Sequence, residues 1–121
     1  MEMKIERGDI LICDFGVQPD SCIQDGIRPA VVISNNMANS YSPVITVVPL
    51  TCQIQKKRYL PTHVFIPKAK QTGLTRNSMA LAEQVTSVDL HSIVSNVGNV
   101  DGDVMKMISK AVGIQVGLLA A

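Results

Sequence analysis

The sequence predicts a mostly β fold: a small, strongly curved antiparallel sheet of barrel-like form, followed by a C-terminal helix. Three observations carry this expectation. Short β-branched and apolar runs recur up to Val85, each bounded by Pro, Gly, Asn or Asp. After Asp101 the apolar residues shift to helical spacing. The 121 residues are 46% hydrophobic and 17% charged, which suits one core and excludes a disordered chain. A single domain over 1–121 is expected, because no linker, repeat or low-complexity stretch divides it.

Taken in order, Asp9 to Phe15 follows the Arg7-Gly8 break as an apolar run and reads as a buried strand. Gly16 to Arg28 contains Pro19, Asp20, Ser21, Asp25 and Gly26, which is loop chemistry. A loop this long in a small domain points to function. Ala30 to Ser34 is a second strand, with Pro29 at its mouth, where a missing N–H is tolerated. Asn35, Asn36, Asn39 and Ser40 read as a polar connection. Val44 to Val48 is a third strand that Pro49 is expected to stop. Gln53 to Pro61 is a second polar loop, holding Lys56, Lys57 and Arg58. Thr62 to Ile66 alternates as a fourth strand, closed by Pro67. Ser78 to Val85 is a fifth, although its Ala, Met, Leu and Glu also suit a helix.

The closing segment reads as a helix capped by Asp101, with Asp103 favourable at its positive end. Val104, Ile108, Ala111, Val112 and Leu119 supply its apolar stripe. Gly113 and Gly117 cost about 1 kcal/mol each in a helix relative to Ala. Their spacing allows either close approach of another backbone or a frayed terminal turn.

The formal net charge is only +1, which argues against a histone-like nucleic-acid binder. The distribution is uneven. Residues 1–25 carry −4, residues 26–82 carry +7 with no acid, and residues 83–121 carry −2. An acid-free middle is a candidate anion-binding region; a chance cluster on solvated loops is the competing reading. Cys13, Cys22 and Cys52 are odd in number and include no Cys-x-x-Cys pair, so neither a zinc site nor a disulfide framework is expected, and reduced cytoplasmic thiols are. The polar N-terminus carries no signal-peptide pattern, and no apolar run approaches the ~20 residues of a membrane span.

The chain has no phosphate-binding glycine loop, no Gly-x-Ser-x-Gly and no paired carboxylates in its middle. His63 and His91 are the only histidines, and a structural or surface role is expected for both. Phe15, Tyr41, Tyr59 and Phe65 are too few for a base-stacking sheet platform, and the two phenylalanines are expected in the core.

A set of local phrases remains. Arg7-Gly8-Asp9 leads into a strand. Gln24-Asp25-Gly26-Ile27-Arg28-Pro29 leads into Ala30–Ser34. Val47-Val48-Pro49-Leu50-Thr51 ends a strand, inside a stretch that runs from Ser42-Pro43 through Pro61-Thr62-His63-Val64, and Ser78–Val85 follows. In this order and spacing, from Arg7 to about Leu118, the set resembles the MazF/PemK family of toxin endoribonucleases, in its Gram-positive-type branch. The resemblance implies an SH3-like barrel acting as a homodimer. It implies cleavage of single-stranded RNA without a metal or other cofactor, and a cognate MazE-like antitoxin that blocks the RNA groove. At the position of the family's loop glutamate this chain has Ile23, and the loop is about one residue longer.

Carried over by motif, the resemblance makes Arg28 and Thr51 the catalytic residues. Metal-free cleavage uses the substrate's own 2′-hydroxyl as nucleophile, so the protein supplies positioning, charge stabilisation and proton transfer. Arg28 offers a permanently charged planar fork for two phosphate oxygens. Thr51 offers a short, stiff hydroxyl. Gln24, Asn35 and Gln84 are carried over as RNA contacts or site supports. Lys56 and Lys57 suit either RNA phosphates or an acidic antitoxin tail. Two rival readings use the same fold: a non-enzymatic toxin that binds DNA gyrase, and an RNA- or antitoxin-binding module without turnover.

Overall fold

The computed structural model describes residues 3–54 and 60–121. In chain order the elements are strand β1 (Asp9–Asp14), β2 (Ile27–Val32), helix α1 (Asn36–Tyr41), β3 (Val44–Thr51), β4 (His63–Ile66), β5 (Ser78–Leu81), β6 (Thr86–Asp89), β7 (Ile93–Asn99) and helix α2 (Gly102–Gln115). Two 3-10 turns, Ala82–Gln84 and Leu90–Ser92, flank β6. Every strand pairing is antiparallel, in the order β4-β5-β3-β2-β1-β7, with β6 also on β3. Strand β3 makes the curvature. One edge pairs with β2, while the other pairs with β6 along Val44–Val47 and with β5 at Leu50 and Thr51. The sheet is thus barrel-like but not closed.

Alternation along the strands buries both faces. On one, Ile10, Val31, Val48, Leu50, Val64, Ile66 and Ala80 meet Ile108 and Ala111 of α2. On the other, Leu11, Cys13, Ala30, Val32, Ile45, Val47 and Val88 meet Ile5. Each fully buried Val, Leu or Ile contributes about 1.5–3 kcal/mol. The predicted cap is present, the Asp101 side chain accepting from the Val104 N–H at 2.9 Å. Gly117, at φ +80°, ends α2 in a Schellman turn. The Leu118 N–H donates to Gly113 O at 2.8 Å and the Gly117 N–H to Ile114 O at 3.2 Å. A Cβ on Gly113 would stand 2.9 Å from Leu119. The two glycines therefore serve the chain's own last turn, which is neither frayed nor a contact with another backbone element.

Five expectations are corrected. The polar connection at Asn35–Ser40 contains helix α1, because the Asn35 side chain caps it by accepting from the Ala38 N–H. Pro49 does not stop β3. The Thr46 carbonyl accepts from the Ile33 N–H on the β2 side, so alternation turns the Pro49 nitrogen to the other side, where the partner changes from β6 to β5. No ladder bond is lost there. The fifth strand ends at Leu81 and breaks into a 3-10 turn. β6 and the seven-residue β7 were not expected, since their polar, partly exposed sequences lack a strand-like apolar pattern. Phe65 is 48% exposed rather than core, because its strand turns it to the open side.

Cys13 is fully buried, and burial pushes its thiol from 9.0 up to about 11. Cys22 is exposed. A thiolate-selective reagent near neutral pH is expected to modify Cys22 rapidly and Cys13 only on unfolding. The unfolded thiol loses its proton first as pH rises, so this group leaves stability unchanged below about pH 9 and lowers it between pH 9 and 11. Residue-resolved alkylation and melts across that range, with Cys13→Ala as control, check both statements.

Candidate active site

The long loop between β1 and β2 is closed at its base. The Phe15 N–H donates to Gly26 O at 2.9 Å and the Gly26 N–H to Gly16 O at 2.8 Å, so the hairpin ladder runs two residues beyond the strands. Arg28 follows at the second position of β2, opposite Cys13 of β1. Its Nε donates to the Asp25 carbonyl at 2.9 Å. Among the described residues its terminal nitrogens have no partner, so the guanidinium plane is fixed while its fork stays available. The pairing is to the Asp25 backbone and not to its carboxylate, whose Oδ2 accepts from the Gln18 N–H at 3.3 Å.

Thr51 is the last residue of β3. The β2–β3 ladder runs from Val32↔Val47 to Ala30↔Pro49. The paired residues end there, two short of Arg28 and Thr51; Arg28 pairs with Cys13 of β1 and Thr51 with Met79 of β5. Met79 in turn lies opposite Phe65. Thr51, Met79 and Phe65 thus form one row across the sheet. Thr51 is 3% exposed, and its Oγ1 accepts from the Gln53 N–H at 3.1 Å, leaving its own hydrogen to donate.

Where the β2–β3 ladder ends, the strands part around a cleft of about 150 Å³. Arg28 and Pro29 line one side, Leu50 and Cys52 another, and Leu74, Thr75, Arg76 and Ser78 the rest, whereas Thr51 does not line it. No acid lines it. Of the seven positive charges in the middle segment, Arg28 and Arg76 share this cleft. Lys68 and Lys70 lie exposed in the connection between β4 and β5. Lys56 and Lys57, and with them Arg58, lie outside the described residues.

Gln84 binds the long loop from across the sheet. Its Oε1 accepts from the Gln24 N–H at 2.7 Å, and its Nε2 donates to the Cys22 carbonyl at 3.0 Å. The neighbouring Glu83 is held at both oxygens, by the Thr62 hydroxyl at 3.0 Å and by His63 Nε2 at 2.7 Å. His63 is buried and structural, whereas His91 is exposed beside Asp89. Sequence reasoning missed the Glu83 clamp, because its partners are 20 and 21 residues away. Asn35 sits beyond the far end of β2, on the order of 20 Å from Arg28 at ~3.3 Å per extended residue, and caps α1. Gln84→Ala removes both loop bonds and is expected to accelerate proteolysis within 16–26 about tenfold, with a small Tm change; unchanged proteolysis would disprove the clamp.

Among the described residues no group of three or more His, Cys, Asp or Glu side chains is gathered to hold a metal ion, and no helix is long and apolar enough to cross a membrane.

Known proteins resemble this chain in sequence and in fold. The family description "PemK-like, MazF-like toxin of type II toxin-antitoxin system" matches residues 6–116. The chain is 36% identical over 117 residues to endoribonuclease EndoA of Bacillus subtilis, covering 97% of this chain and 98% of that protein. In fold it is similar to the crystal structure of MazF from Deinococcus radiodurans, with a TM-score of 0.79 at 21% identity over 96% of this chain and 99% of that one. It is also similar to a mycobacterial endoribonuclease solved in complex with its cognate antitoxin, with a TM-score of 0.76 at 24% identity over 97% and 99%.

Proposed function

This chain belongs to the PemK-like, MazF-like toxin family of type II toxin-antitoxin systems, and from that membership we propose that it is the toxin of such a pair, an endoribonuclease that cleaves single-stranded RNA. The observation that carries the reading is the Arg28 guanidinium at the base of the long loop, its fork without a partner among the described residues and its cleft without an acid. The substrate's 2′-oxygen loses its proton and attacks the adjacent phosphorus. The bond from phosphorus to the 5′-oxygen breaks, and that oxygen takes a proton. The products are a 2′,3′-cyclic phosphate and a 5′-hydroxyl. Arg28 stabilises the extra negative charge on the phosphoryl oxygens. The Thr51 hydroxyl donates to one of them, and Gln84 holds the loop that admits the strand.

The protein acts in the cytoplasm as one toxin domain and as a homodimer. A depression of about 610 Å³ lined by Ile5, Pro43 and Ile93 together with Asn39, Ser40 and Ser42, and rimmed by exposed Met3, Tyr41 and Leu90, supports a covered surface of mixed polarity. The partner is an antitoxin, as the mycobacterial relative in complex with its own supports. Purified protein incubated with a long RNA in EDTA is expected to cut at a few positions. The new 5′ ends should accept phosphate from a polynucleotide kinase directly. Intact RNA, or 5′-phosphate ends, would sink the mechanism. Light scattering at micromolar concentration should give twice the chain mass.

A further inference from the structure

The cleft beside Arg28 holds a feature that the proposed mechanism does not use. Arg76 lines it together with Arg28; Pro29 and Leu74 give the remaining walls apolar surface, beside Cys52, Thr75 and Ser78 and over the fully buried Leu50. Among the described residues Arg76 makes no ion pair and its guanidinium donates no hydrogen bond. Its backbone is nonetheless fixed. The Ser78 hydroxyl donates to the Arg76 carbonyl at 3.0 Å, and the Asn77 side chain accepts from the Lys68 N–H at 2.9 Å. Gly73 closes the other side of this loop by packing its Cα against the Val97 carbonyl of β7. A long cation is thus presented by a pinned loop, over an apolar floor, with no carboxylate among the lining residues to neutralise it.

The size narrows what enters. A volume of about 150 Å³ takes one six-membered ring and not two stacked ones. A cation and an apolar floor flanking a ring-sized space suit a single nucleobase, its faces against aliphatic carbon and its phosphate at the rim. We infer that this cleft is a one-nucleotide subsite next to the scissile phosphate, and that Arg76 is a positioning residue that grips the neighbouring phosphate while Arg28 serves the reacting one. The inference rests on the endoribonuclease reading and adds a second phosphate contact to it.

Binding and cleavage separate the two. The probe is a fluorescent single-stranded RNA containing one cut site, and its analogue with a 2′-deoxy sugar at that site, which binds without reacting. Arg76→Ala is expected to raise Kd for the analogue about 10- to 100-fold and to reduce the slope of log Kd against log salt by about 0.7, the loss of one single-strand phosphate contact. In cleavage, KM should rise by a similar factor with kcat within about threefold. Arg76→Lys should restore the slope and part of the affinity, since it keeps the charge and loses the fork. Leu74→Ala, which opens the floor without touching charge, should weaken binding with the slope unchanged. If Arg76→Ala leaves Kd and slope at wild-type values, or lowers kcat alone, the subsite assignment fails. A thermal melt of Arg76→Ala matching wild type excludes a folding cause. If wild-type protein cuts no RNA, the endoribonuclease reading fails instead, and the binding series still decides the role of Arg76.

Discussion

Arg28→Ala is expected to reduce kcat for RNA cleavage about 10³-fold, the scale of removing a preorganised charged donor from a phosphoryl-transfer site. That corresponds to about 4 kcal/mol of lost transition-state stabilisation. The Arg28 Nε bond to the Asp25 carbonyl contributes little to the fold, so Tm should fall by only a few degrees. Arg28→Lys should recover a small part of the rate, because a point charge cannot serve two phosphate oxygens at once. Thr51→Ala should cost about 10²-fold, and Thr51→Ser should retain most of the activity, since the hydroxyl survives. Thr51 is buried, so each variant is compared at equal folded fraction. Cleavage by Arg28→Ala within about threefold of wild type would remove Arg28 from the mechanism.

The largest expected stability effect lies away from the chemistry. Gly73 and Gly98 let the loop before β5 lie directly on β7. A Cβ on Gly98 would stand 2.3 Å from the Gln71 carbonyl oxygen, and one on Gly73 would stand 2.2 Å from that of Val97. Both obstacles are backbone, which cannot step aside as a side-chain tip can. Gly73 also has φ +71°, where a side chain is strained in any surroundings. Two hydrogen bonds seal the contact, the Asn99 N–H to Gln71 O and Gln71 Nε2 to Asn99 Oδ1, each 3.0 Å. Gly98→Ala and Gly73→Ala should each cost about 3–5 kcal/mol and lower Tm by about 10 °C or more. Because the same loop presents Arg76, RNA affinity should fall with stability. A melt within about 2 °C of wild type would show that this contact is not rigid.

Most strands were legible because their apolar runs are dense and end at Pro, Gly or Asn. β1, the second half of β2, the first five residues of β3 and β4 fall where the pattern puts them. β6 and β7 were not legible. In β7 the sequence Ile-Val-Ser-Asn-Val-Gly-Asn reads as polar loop, and its strand form comes from pairing with β1, which supplies the backbone partners. Asn35 was assigned from the resemblance alone, and its placement beyond the far end of β2 came only with the fold. The acid-free middle was visible as charge, but charge order does not say which side chains converge. Arg28 and Arg76 are separated by nearly half the chain and reach one cleft only because β3 pairs with β2 on one edge and β5 on the other.

By itself, then, the sequence determined the chemistry on offer: a guanidinium and a hydroxyl at two strand ends, a loop between them and a region without acids. Those are local properties, fixed by residue identity and short-range pattern. The tertiary structure decided the register that sets Thr51 opposite Met79, the Gln84 clamp on the loop and the company of Arg28 with Arg76. Register and long-range contact follow from burying two faces of one curved sheet at once, a condition that no short window of residues expresses.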